Sequence, residues 1–229
     1  MFSGIVQEIG VVKGLEMKDG ILDLTISSKR LINDLSIGSS ISIDGCCQTV
    51  IECFPVIASE AKQSHNRNNE SEIASGLKSL AMTKTFKVQT TEETLRKTNF
   101  VNLKADSKVN LEPSLKFGGA VDGHLVSGHI DTIGEVSDIF SSGENKIIKI
   151  SYSGEYRKYI APKGSIAVNG VSLTIIDSKN DKFNFTLIPF TRDNTNLGLL
   201  KIGDLVNLEV DLISRYVVNY ISDMKLIVN

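Results

Sequence analysis

The chain repeats itself, and this constrains the fold more than any other feature of its 229 residues. Phe2-Ser3-Gly4-Ile5-Val6, followed by Ile9-Gly10-Val11-Val12, returns as Val126-Ser127-Gly128-His129-Ile130, followed by Ile133-Gly134-Glu135-Val136. Ser40-Ile41-Ser42-Ile43-Asp44-Gly45 returns as Ser165-Ile166-Ala167-Val168-Asn169-Gly170, and Thr49-Val50-Ile51 as Thr174-Ile175-Ile176. Thr98-Asn99 and Val109-Asn110-Leu111-Glu112 return as Thr195-Asn196 and Val206-Asn207-Leu208-Glu209. The order is kept throughout, so the chain is two homologous halves.

The spacing locates an insertion. Early matches lie 124 to 125 residues apart and late ones 97, so the first half carries 28 extra residues between Ile51 and Phe86. The surplus falls at about residues 55–83 and includes the polar, aperiodic run His65 to Glu72. Loop closure costs grow slowly with length, so such an insertion is expected to be peripheral. Its apolar tail, Ile73 to Met82, could add a short helix.

Each half reads as mostly β. Leu22 to Ile26, Ser40 to Ile43, Ile147 to Ile150, Phe183 to Leu187 and Leu205 to Val210 are short apolar or alternating runs, separated by Gly, Asn and Asp. Brief helical turns are expected at Lys29 to Leu35 and Gly154 to Ile160. The end differs: Leu212, Ile213, Tyr216, Val217, Tyr220, Ile221 and Met224 recur at three- and four-residue steps, the period of an amphipathic helix. The expected fold is all-β: two homologous six-stranded Greek-key barrels in tandem plus a C-terminal α-helix. The first barrel takes residues 1–123, the second 124–211 and the helix 212–229.

Composition narrows the function. A net charge of −2 gives no electrostatic reason to expect nucleic acid or an anionic membrane. No apolar stretch is long enough to span a bilayer, and the N-terminus lacks the basic flank and apolar run of a signal peptide. Three cysteines, two of them adjacent at Cys46 and Cys47, make no disulfide framework or zinc pattern. A cytoplasmic protein is expected.

Three stretches carry a resemblance. Met1-Phe2-Ser3-Gly4-Ile5-Val6, Gly123 to Asp131, and Gly170-Val171-Ser172-Leu173-Thr174 are similar to motifs of the riboflavin synthase family. The resemblance covers about 200 residues and omits the insertion. It implies a homotrimer held largely by C-terminal helices, in which the first barrel of one subunit faces the second barrel of another. Each barrel would bind one 6,7-dimethyl-8-ribityllumazine. Four carbons would pass between the two, giving riboflavin and 5-amino-6-ribitylamino-uracil with no cofactor or metal.

The residue types suit that chemistry. A methyl group on C7 of one lumazine must lose a proton, and the carbanion spreads over the pteridine, so the substrate is its own electron sink. The protein has mainly to hold two rings together and move protons.

Carried over by motif, the resemblance puts Gly4, Ile5, Val6, Cys47, Gln48 and Thr49 in the first-barrel pocket, with the segment Gln89, Thr90, Thr91, Glu92, Glu93 and Thr94. Phe2 would cover that pocket. The second-barrel pocket receives Gly128, His129, Ile130, Ser172, Leu173 and Thr174, with the segment Thr186, Leu187, Ile188, Pro189, Phe190 and Thr191. Lys163 would reach ligand near the interface. The catalytic candidates are His129, Cys47, Ser172, Asp211 and Ser40. His129 titrates near neutral pH and stands where the first half has Ile5. Asp211 stands at a strand end, where a lone Asp is more often a cap, Cys46 should face the core by strand alternation, and His124 is as well suited to structure as to chemistry.

Departures concentrate in the first half. Gln48 stands where an apolar residue is usual, and Thr91 and Glu92 where Met and Pro are common, making that wall more polar. A non-catalytic lumazine or flavin carrier is the alternative, expected to degrade one pocket; here both keep their motif positions. A flavin-dependent reductase would need a Gly-rich phosphate loop after a strand, which the sequence lacks.

Overall fold

A computed structural model describes residues 1–54 and 84–227. The insertion, including the expected short helix, lies outside the described residues.

The first half has six strands, β1 (Glu8–Lys18), β2 (Ile21–Ser28), β3 (Ser40–Ile43), β4 (Cys46–Phe54), β5 (Lys84–Thr90) and β6 (Lys108–Pro113), closed in the order β1-β2-β5-β4-β3-β6. The second has β7 (Thr132–Ser142), β8 (Asn145–Ser151), β9 (Ser165–Val168), β10 (Val171–Thr174), β11 (Asp177–Lys179), β12 (Lys182–Leu187) and β13 (Leu205–Val210). Their order, β10-β9-β13-β7-β8-β12-β11, is the same cycle left open at one place. That place has a local cause. In β4 the pairing with β5 shifts between Val50 and Glu52, a bulge at Ile51. At the equivalent Ile176 the second half loses strand geometry, so the counterpart of β4 is divided into β10 and β11. The six-stranded barrel expected for the second half is therefore a curled seven-strand sheet.

Turn chemistry sets the hairpins. Asp44-Gly45 joins β3 to β4 with φ of 44° and 82°, and Asn169-Gly170 joins β9 to β10 with 45° and 75°. Two successive positive φ values make the turn whose twist matches paired strands, and Asp-Gly and Asn-Gly tolerate it best. Alternation then builds the cores. Leu22, Leu24 and Ile26 point inward from β2, while Phe183, Phe185 and Leu187 do so from β12. Each half has its own buried cluster, and each fully buried Leu, Ile or Phe contributes roughly 1.5–3 kcal/mol.

The expected helical turns occur as 3-10 turns at Leu31–Asn33 and Gly154–Tyr159. The period did not reveal a short helix after β5 and its counterpart β12, at Glu92–Lys97 and Pro189–Asn194. Six residues are too few to show a helical repeat. The C-terminal helix runs Leu212–Ile227, and no described helix is long and apolar enough to cross a membrane.

The halves meet through a buried asparagine cluster that obeys their twofold relation. Asn110 Nδ2 donates to the Asn169 carbonyl and Asn207 Nδ2 to the Asp44 carbonyl, both at 2.9 Å. Asn196 N donates to Asn110 Oδ1 and Asn99 N to Asn207 Oδ1, both at 2.7 Å. The pairing is what keeps these amides tolerable away from water.

Candidate functional site

The site is built from one segment of each half crossing to the other. Residues Phe2 and Val126 form an antiparallel bridge between the halves. Beyond it, Ser172 N donates to the Gly4 carbonyl at 2.8 Å, and Cys47 N donates to the Gly128 carbonyl at 2.7 Å. Contact is so close that a Cβ on Gly4 would stand 2.6 Å from Ser172 Cβ, and one on Gly128 2.6 Å from Cys47 Cβ. Val6 accordingly packs on the second core and Ile130 on the first.

This corrects the grouping expected from chain order. Gly4, Ile5 and Val6 lie with Ser172, Leu173 and Thr174 of the second barrel. Gly128, His129 and Ile130 lie with Cys47, Gln48 and Thr49 of the first. The physical reason is the bridge: once Phe2 pairs with Val126, each following segment is directed onto the opposite barrel.

Two glutamates that the sequence reading left out fix the crossing segments. Glu112 Oε1 accepts from Ser3 N and Ser3 Oγ at 2.7 Å, and Oε2 from Gly4 N at 3.0 Å. Glu209 does the same for Ser127 N and Oγ at 2.6 Å and for Gly128 N at 2.9 Å. Burial pushes both carboxyls above the usual range, against the lowering effect of these donors. The sequence showed an acid at the same place of both Val-Asn-Leu-Glu repeats, but neither its burial nor its partners.

Strand alternation separates lining from core. Cys47 and Thr49 face outward on β4, as do Ser172 and Thr174 on β10; Ser40 pairs with Thr49 across β3 and shares its face. Gln48 and Leu173 instead point into their barrels, as do Thr90 and Leu187, so only their backbone borders the site. Phe2 is buried with Val126 and Ala167, and Cys47 packs against them, so Phe2 backs the wall and does not cover the pocket. Ile5 and His129 are exposed beside the two half-sites.

The third segments close each half-site differently. Gln89 is engaged by Asp23 at 2.9 Å, and Thr91 and Thr94 hydroxyls lie 3.3 Å apart. Glu92 and Glu93 pair with Arg96 at 4.0 and 3.4 Å in the solvent. In the second half Thr186, Pro189 and Thr191 are half-buried, while Ile188 and Phe190 are 50% and 74% exposed. One wall is acidic, its counterpart apolar.

Asp211 caps the C-terminal helix, its Oδ1 accepting from Ile213 N at 2.7 Å. Its charge also bears on His124, whose Nδ1 shares a 2.7 Å hydrogen bond with Ser172 Oγ and whose buried Nε2 has no partner among the described residues. Burial holds the His124 pKa below its usual value, with Asp211 offsetting part of the effect. A neutral histidine on a serine hydroxyl can take up and return a proton. Lys163 is exposed in a turn at φ 67°. Gly38, its counterpart at φ 88°, makes the same turn without strain, and each donates its N–H to the equivalent carbonyl at 2.8 Å.

A cavity of about 690 Å³ lies elsewhere, among Asn99, Lys108, Asn196 and Asp204. It borders the asparagine cluster, whose amides are largely committed to one another, and carries none of the motif residues.

A family model for the lumazine binding domain matches residues 3–114 and again 127–211. A riboflavin synthase of Actinobacillus pleuropneumoniae is 32% identical over 221 residues, covering 96% of this chain and 90% of that protein. One of Buchnera aphidicola subsp. Baizongia pistaciae is 38% identical, with 96% and 91% covered. Among solved structures, LumP complexed with riboflavin superposes with a TM-score of 0.73 at 23% identity, covering 92% of this chain and 99% of that one. LumP complexed with 6,7-dimethyl-8-(1'-D-ribityl) lumazine gives 0.71.

Proposed function

The chain belongs to the riboflavin synthase family, and on that premise we propose that it dismutates two molecules of 6,7-dimethyl-8-ribityllumazine to riboflavin and 5-amino-6-ribitylamino-uracil. The observation that carries the reading is the exchange of crossing segments. It gives one chain two half-sites of one design, Gly4 against Ser172 and Gly128 against Cys47, suited to two identical substrates.

Within it, backbone groups of the crossing segments and of β4 and β10 hold the uracil-like edge of each ring, supported by the hydroxyls of Thr49 and Thr174. His124 and Ser172 hold the proton exchanged at the second half-site. Cys47 takes the place of Ser172 in the first, with His129 beside it; Ser40 lies across from Thr49, and Asp211 acts through His124. Lys163 reaches a ligand held largely by another subunit.

A second half-wall has to come from another copy. Ile213, Tyr216, Val217, Tyr220, Ile221 and Met224 leave an apolar stripe exposed on the C-terminal helix, which supports a homotrimer assembled through residues 212–229. In such an assembly the barrel of residues 1–123 faces the barrel of residues 124–211 of a neighbour. Cys46, Cys47 and Cys53 are unpaired, as suits the cytoplasm.

The test is to mix cofactor-free protein with 6,7-dimethyl-8-ribityllumazine and follow both species by absorbance. Two lumazines lost per riboflavin formed is the expected result. Tight lumazine binding with no riboflavin would replace the enzyme by a carrier.

A further inference from the structure

The first half-site opens where two strands part. β4 and β5 are paired from Phe54 opposite Thr85 up to Val50 opposite Val88, and the ladder ends there. Past that point Cys47 and Thr49 stand on one side and Thr90 and Thr91 on the other. Cys47 N is already taken by the Gly128 carbonyl; the other backbone groups on edges that part in this way can pair with a flat ring.

Among the described residues, one side-chain link crosses that opening. Gln48 Oε1 accepts from Thr90 Oγ1 at 3.1 Å, while Gln48 Nε2 donates to Cys46 Sγ at 3.1 Å. All three residues are buried, Gln48 at 5% exposure and Thr90 at 1%. The second half has Val171, Leu173 and Leu187 in these places, all buried hydrocarbon. An amide in a barrel core carries a desolvation cost that only directional bonds offset. Those bonds fix a donor–acceptor distance and direction, a constraint that the hydrocarbon contacts of the second half do not impose.

We propose that Gln48 is a positioning residue: its bond to Thr90 sets the width of the gap between Cys47 and Thr91, making the first half-site rigid and leaving the second adaptable. This rests on the lumazine reading. Two identical substrates must act as unlike partners in a dismutation, and the inequality has to come from the protein. The Gln48–Thr90 link supplies one, because the rigid half-site accepts a planar ring in a single pose while the hydrocarbon-lined one follows the ring as it changes.

The probe is riboflavin, titrated into the full-length protein with its fluorescence as the signal. Wild-type protein should show two unequal affinities. Gln48→Leu, which copies Leu173, should weaken one affinity about tenfold and leave the other unchanged, the effect of one lost buried hydrogen bond. Thr90→Val should do the same, and the double variant should be no weaker than either single one. Thr90→Ser keeps the hydroxyl and should keep both affinities. The proposal fails if the two single variants leave both affinities unaltered, or weaken both equally alongside the melting temperature. Wild-type protein that binds no riboflavin would overturn the lumazine reading itself, and the proposal with it. Should Gln48→Leu not fold, Thr90→Val decides the matter.

Discussion

Gly45 and Gly170 meet back to back where the two halves join: a Cβ on either would stand 2.7 Å from the backbone nitrogen of the other. Both have positive φ, 82° and 75°. The Asp-Gly and Asn-Gly turns thus act as hairpin turns and as the contact between barrels.

Gly45→Ala should therefore cost about 2–4 kcal/mol, combining left-handed backbone strain with overpacking against an immovable partner. Chemical denaturation would measure it. Gly20 also has positive φ, but a Cβ there would meet nothing within 4 Å among the described residues, so Gly20→Ala should cost only the strain.

Asp44 is fully buried, and burial pushes its carboxyl from an ordinary 3.8 up to about 7, against hydrogen bonds from Asn110 and Asn196. The fold favours the protonated form. Its effect on stability is absent below about pH 4, becomes a loss as pH rises through 4 to 7, and is constant above. Asn169 occupies the twofold-related turn, so asparagine fits there. In Asp44→Asn the loss should vanish, and the difference in unfolding free energy between variant and wild type should grow from pH 4 to pH 7.

His124 behaves oppositely. Burial lowers its pKa, so the fold favours the neutral ring; the stability this maintains is present above the ordinary value of 6.5 and declines as pH falls below it. His124→Gln should remove that decline. Ser172→Ala should reduce turnover about 10²-fold or more if the pair moves the proton, with a stability change of only about 1–2 kcal/mol. Rate profiles against pH for both variants would check this.

Lys163 adopts a backbone conformation that glycine holds in the other half. Lys163→Gly should raise stability by about 1 kcal/mol. A fall in lumazine turnover in the same variant would indicate that the strain is retained for the side chain. Unchanged turnover would remove Lys163 from the site.

Deleting Ser214 to Asn229 should yield monomers with greatly reduced turnover, measured by light scattering and the absorbance assay. It also removes Arg215, which pairs with the part-buried Asp131 at 2.9 Å. Tyr216→Glu combined with Tyr220→Glu keeps that pair and should dissociate the assembly equally. A monomer with full activity would rule out the trimer reading.

Much of the fold was legible in the residues themselves. The repeat fixed two like units, alternation in runs such as Leu22 to Ile26 fixed strands, and the three- and four-residue steps from Leu212 fixed the last helix, because period is a local property of sequence. The motif positions around Cys47 and Ser172 were legible for the same reason.

Partnership was not. Nothing in the chain order tells that Gly4 lies against Ser172 and Gly128 against Cys47, since that depends on the bridge from Phe2 to Val126 between distant strands. Gln48 was marked in the sequence as a polar residue in an apolar place, but nothing there tells that Thr90 lies opposite it, or that the glutamates at 112 and 209 act as clamps until Ser3 and Ser127 reach them. The sequence determined the two like units, most of their strands and the last helix, in order; tertiary structure decided which of their residues meet, because long-range pairing is set by the closure of the whole sheet and not by any local segment.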